Sequence, residues 1–102
     1  MRSYFIEGLS SYEIAADGLT EAFPEQSDHS TKVLTGPEGS NVCYLYVGEQ
    51  DDPVEQDERF LIQADVSGRF FDFDVDEYIV SALHRIQERV GGVVRDDDGN
   101  TV

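Results

Sequence analysis

Positive charge is scarce in this chain. Of its 102 residues, seven are Lys or Arg against 22 Asp or Glu, a formal net charge of −15, and Lys32 is the sole lysine. A surface of that sign repels phosphate, which excludes direct binding to nucleic acid and disfavours an anionic membrane surface. Cysteine is nearly absent: Cys43 stands alone, so no internal disulfide can form. No apolar run approaches the roughly 20 residues of a membrane helix, and the opening residues Met1 to Glu7 lack the long apolar stretch of a signal peptide. A cytoplasmic protein that contacts no membrane is expected from these absences. No internal repeat or low-complexity linker divides the chain. Residues 1–102 are therefore expected to form a single acidic α+β domain, of common domain size and long enough to bury a core without metal or cross-link. A hydrophobic content of 39% with 11% aromatics argues against wholesale disorder.

The pattern of apolar residues predicts the elements. Arg2–Glu7 reads as a short strand ending at Gly8. Ser10-Ser11-Tyr12-Glu13 matches a capping box, a hydroxyl followed three residues later by Glu. Tyr12, Ala15, Ala16, Leu19, Ala22 and Phe23 then recur at helical period, predicting a helix from about Ser11 to Phe23 that stops at Pro24; Gly18 inside it costs about 1 kcal/mol relative to Ala. Strands are predicted at Thr31–Thr35 and Asn41–Gly48, joined by the turn-forming Gly36-Pro37-Glu38-Gly39-Ser40. In the second of these, Val42, Tyr44 and Tyr46 alternate with Cys43, Leu45 and Val47, which predicts a central strand covered on both faces. An acidic loop over Glu49–Glu58 leads to a strand at Arg59–Val66, and Ser67-Gly68 reads as a turn into a further strand at Arg69–Asp74. Asp74 and Glu77 form a capping pair for a helix whose apolar face is Val75, Tyr78, Ile79, Ala82, Leu83, Ile86 and Val90. Arg85 and Arg89 suit its C-terminus, and Gly91-Gly92 ends it. Val93-Val94-Arg95 is expected to add a short strand before an acidic tail. The fold class is α+β: a mostly antiparallel sheet of about five to six strands packed with two helices, the longer near the C-terminus.

Signals for catalysis are poor. His29 falls in a loop and His84 on the polar edge of the second helix, neither with a partner at a telling spacing. Cys43, in an apolar strand, reads as a packed thiol. Gly36-Pro37-Glu38-Gly39 carries an acid where a phosphate loop needs donors or a base. Reading Asp72 as the start of a calcium loop places Glu77 where glycine belongs and Leu83 where the bidentate acid belongs. Asp96-Asp97-Asp98-Gly99-Asn100 has suitable oxygens, but only two residues follow, and a turn or frayed end is the expected structure. No enzyme activity, cofactor or metal is expected.

The distribution of acid is the informative feature. Residues 49–77 hold 11 acids and two bases, against −6 for the remaining 73 residues. Two rows stand out. Glu13, Asp17 and Glu21 lie at i, i+4 and i+8, about 6 Å apart along a helix. Asp72, Asp74 and Asp76 would project from one side of a strand, about 6.6–7 Å apart, with Phe71, Phe73 and Val75 pointing inward. Like charges so placed are destabilising, and no lysine relieves them. Evenly spaced anions resemble a line of phosphates and suit the basic groove of a nucleic-acid-binding protein. The expected function is thus a non-catalytic inhibitor that mimics nucleic acid, of the kind a phage deploys against restriction or CRISPR complexes. The expected partner-binding residues are Asp51, Asp52, Glu55, Asp57, Glu58, Asp72, Asp74 and Asp76, with Glu13, Asp17 and Glu21 as a second set. Two alternatives use the same charge. One is a halophile domain with a solvated high-salt surface; the other is an immunity protein for a basic nuclease toxin.

Overall fold

A computed structural model describes residues 2–26, 31–50, 58–68 and 71–102. Among these residues, five strands and two α-helices follow one another as β1 (Ser3–Leu9), α1 (Tyr12–Ala22), β2 (Lys32–Thr35), β3 (Asn41–Glu49), β4 (Phe60–Val66), α2 (Val75–Val90) and β5 (Val93–Arg95). The strands form one sheet in the order β2-β3-β4-β1-β5, and every neighbouring pair is antiparallel. The first strand of the chain therefore lies between β4 and β5, closing the β2-β3-β4 meander on its far side. The α+β class holds, with the longer helix near the C-terminus.

Register decides which residues form the core, because directly paired residues of a ladder point to the same face. Lys32, Leu45, Ala64 and Tyr4 share one face; Val47, Ile62, Ile6 and Val94 continue it. Both helices pack there. Ile79, Ala82, Leu83 and Ile86 of α2 and Ala15 and Leu19 of α1 join the sheet residues Ile6, Leu34, Leu45 and Ile62 in a single buried cluster. Each fully buried aliphatic side chain in it contributes about 1.5–3 kcal/mol.

Two bulges adjust that pattern. Between Ile6↔Ile62 and Leu9↔Phe60 the first strand carries one extra residue. Gly8 takes it up at φ 81°, a conformation that residues with a Cβ rarely adopt. The chain thus continues past the expected end at Gly8, and Leu9 returns to the core. Between Leu34↔Cys43 and Thr35↔Asn41 the extra residue is Val42, so Val42 and Cys43 are adjacent yet both fully buried.

Other expectations are corrected. The N-cap of α1 is Ser11, whose side chain accepts from the Ile14 N–H, so no Ser10–Glu13 box forms. Tyr12 is 55% exposed and lies edge-on to Phe60 with ring centroids 6.2 Å apart, outside the apolar stripe to which its spacing assigned it. The strand expected at Arg69–Asp74 is not one: Arg69 and Phe70 lie outside the described residues, and 71–74 form a bend leading into the α2 cap. Its alternating aromatics instead join an angled cluster, Phe71 tilted against Phe73 at 5.6 Å and Phe73 edge-on to Tyr78 at 5.4 Å. Finally, β3 is central in the sheet but covered on one face only, since Tyr44 on the other face is 37% exposed.

Candidate functional site

The acids singled out in the sequence separate into three groups. Asp72, Asp74 and Asp76 do not form a row. Asp72 lies exposed in the bend. Asp74 is the N-cap of α2 and accepts from the Glu77 N–H at 3.2 Å. Asp76, within the first turn of α2, accepts from Arg2 at 2.8 Å and from the Tyr4 hydroxyl at 3.0 Å. Helical geometry after Asp74 breaks the period-two spacing that a strand would have kept. Burial, together with the Asp76 hydrogen bond and charge, pushes the Tyr4 phenol up to about 12, so this contact joins a neutral hydroxyl to a carboxylate.

The second group is the loop. Asp51, Asp52, Glu55 and Asp57 lie outside the described residues, and Glu58 is exposed at the start of the return into β4. The third is α1, where Glu13, Asp17 and Glu21 are all exposed on successive turns. Glu21 is bonded to Arg89 of α2 at 3.1 Å. The row has a firm support: Gly18, between Asp17 and Leu19, lies so close to α2 that a Cβ there would stand 2.2 Å from Val90 Cγ1.

Further polar clusters are absent from the sequence reading. On the helix-free face, Asp65 accepts from Ser3 Oγ at 2.7 Å, Tyr46 Oη at 2.8 Å and Gln63 Nε2 at 2.8 Å. Burial pushes its carboxyl up, but the three hydrogen bonds outweigh burial and hold it below the ordinary value. The signal was the alternation of Leu61, Gln63 and Asp65 against Phe60, Ile62, Ala64 and Val66, whose polar half marks the strand's other face. At the C-terminus Asp96 closes a turn by accepting from Asp98 N–H at 3.0 Å and Asn100 N–H at 2.9 Å. Arg95 and Thr101 bridge across it, which fits the expected turn.

Of the reactive side chains, Cys43 and His84 are among the described residues. Cys43 is fully buried, and burial, then the charge of Asp65, push its thiol up to about 12, far from a nucleophilic thiolate. His84 is exposed with Nδ1 2.8 Å from Gln87 Oε1; His29 lies outside the described residues. Among the described residues no group of three His, Cys, Asp or Glu is placed to hold a metal ion, and no helix is long and apolar enough to cross a membrane. No family model matches the chain, and no curated protein matches its sequence.

Proposed function

We propose that the chain is a non-catalytic acidic binding domain whose surface charge is an adaptation to concentrated salt. The spread of its acid supports this reading. Of the 17 carboxylates among the described residues, 13 are exposed. They occur on α1, in the turn after it, in the β2–β3 loop, at the end of β3, at Glu58 before β4, at Asp72 and Asp74 in the bend and cap before α2, on α2 itself and in the C-terminal turn. Among the described residues, ion pairs join only Arg2 to Asp76, Arg89 to Glu21 and Arg95 to Glu7. A mimic of nucleic acid needs its carboxylates in a line; a surface that holds water and cations in brine needs them everywhere, with few lysines between. At low ionic strength the same carboxylates repel one another. The dependence of folding stability on salt tests the reading directly.

A second reading, nucleic-acid mimicry, is supported among the described residues by the α1 row; the loop acids Asp51, Asp52, Glu55 and Asp57 expected beside it lie outside them. Glu13, Asp17 and Glu21 keep a regular spacing on a helix fixed by its contact at Gly18, and a basic groove of a nucleic-acid-binding protein, or a basic nuclease toxin, would receive them. Under that reading the affinity for the basic partner falls as salt rises and nucleic acid competes for it. The Glu13→Lys/Asp17→Lys variant then loses binding while remaining folded. Binding indifferent to both salt and charge reversal would remove this reading and leave the first intact.

A further inference from the structure

A cleft of about 320 Å³ opens where the end of α1, the C-terminal half of α2 and β2 meet, within the size range of small-ligand sites. Its floor is apolar: Phe23 from the end of α1, Leu34 from β2, and Ala82 and Ile86 from α2, all buried. Its rim is charged, with Arg85, Glu88 and Arg89 from α2. The two arginines differ. Arg89 is paired with Glu21 of α1 at 3.1 Å. Arg85, exposed, makes no hydrogen bond or ion pair among the described residues. In a chain with 22 acids and seven bases, the Arg85 guanidinium is left open to an anionic group beside the apolar floor.

We propose that this cleft binds a small amphipathic monocarboxylate, its hydrocarbon body on the Phe23–Leu34–Ala82–Ile86 floor and its carboxylate on the Arg85 guanidinium. A guanidinium takes a carboxylate through two parallel N–H···O bonds, and the floor supplies burial for the rest of the ligand. A single negative charge suits the site better than a dianion, because the net charge of −15 repels anions at long range. That repulsion is screened in concentrated salt, where the Debye length is about 3 Å at 1 M, while a pair partly buried by the ligand's own hydrocarbon body is screened less. A cationic or basic peptide is disfavoured by the same arginine. Glu88 opposes the ligand and sets the direction of one variant below. The cleft serves this role whatever purpose the acidic surface has.

The test is an amide-shift titration of the isotope-labelled full chain with octanoate, and with octanol as the uncharged analogue, in about 1 M NaCl. Octanoate is expected to give saturable shifts at Phe23, Leu34, Ala82 and Ile86, and octanol to bind about tenfold or more weakly, the scale of a charge-assisted bond. Arg85→Ala should lose at least about tenfold in octanoate affinity, Arg85→Lys should recover part of it, and Glu88→Gln should tighten binding. Both positions are exposed, and the amide spectrum of each variant reports its fold in the same experiment. Absence of saturable shifts at the floor overturns the proposal, as does equal affinity for octanol or an unchanged affinity in Arg85→Ala.

Discussion

At the scale of single residues, Gly18 shows how a local rule yields to packing. Glycine inside a helix costs about 1 kcal/mol relative to Ala, so the sequence alone favours replacing it. The structure reverses the sign, because the added Cβ would stand 2.2 Å from Val90 Cγ1. Gly18→Ala is expected to lower stability by about 1–3 kcal/mol, the usual cost of overpacking. Combining it with Val90→Ala is expected to relieve much of the clash; thermal denaturation of the parent, the two single variants and the double variant measures both effects. A Gly18→Ala variant more stable than the parent would contradict the packing. Asp65 makes the second residue-scale case. Its folded pKa lies below the ordinary 3.8, so the stability it adds is present above that value and is lost as pH falls through the folded pKa. Asp65→Asn should cost about 1–3 kcal/mol at neutral pH, since Ser3, Gln63 and Tyr46 lose a charged acceptor, and should flatten the acid limb of a stability-against-pH curve. The alternation in β4 marked the face that Asp65 occupies but not its partners Ser3 and Tyr46, and nothing local marked Val90 as the neighbour of Gly18, because these contacts join residues far apart in the chain.

Elements were legible where one local signal agreed with another. The second helix carries a cap at Asp74, a continuous apolar face and a glycine stop, and it runs Val75–Val90 with Gly91 as its C-cap. The region before it misled because Phe71, Phe73 and Val75 alternate like a strand; the Asp74 cap ends the alternation, and Phe73 packs edge-on to Tyr78 with Phe71 tilted against it. Strand order was not legible at all, since pairing β1 between β4 and β5 follows from packing rather than from any local pattern. The edge of the sheet at β2 holds a feature visible only in three dimensions. The Gln26 side chain acts as a substitute strand there, accepting from Val33 N–H at 2.8 Å and donating to Val33 C=O at 2.9 Å. The Tyr78 hydroxyl donates to Thr35 C=O at 2.7 Å. These bonds occupy groups through which an exposed edge would recruit another chain. Gln26→Ala is expected to lower stability by about 1–3 kcal/mol through the freed backbone groups and to raise the tendency to associate; light scattering across a concentration series checks the second effect. A variant as monodisperse as the parent and equally stable would contradict the edge-blocking role.

For the whole molecule, the sign and size of the charge were legible from composition, but its geometry was not. The row expected at Asp72, Asp74 and Asp76 rested on a strand that does not form, whereas the row at Glu13, Asp17 and Glu21 rested on a helix that does. With the first row gone, the exposed carboxylates among the described residues are spread over both helices, the end of β3, the turns and bends between elements and the C-terminal turn, which supports the proposed solvation in brine. Repulsion among them acts over the Debye length, about 8 Å at physiological ionic strength and about 3 Å at 1 M. Salt should therefore raise stability steeply over that range, and the gain should saturate once the surface is screened. The decisive measurement is thermal denaturation followed by circular dichroism at about 0.1 M and about 2 M NaCl. Salt adaptation predicts a cooperative transition at high salt and a largely unfolded baseline, or a strongly lowered midpoint, at low salt. A protein fully folded at low salt with only a small gain at high salt would contradict it.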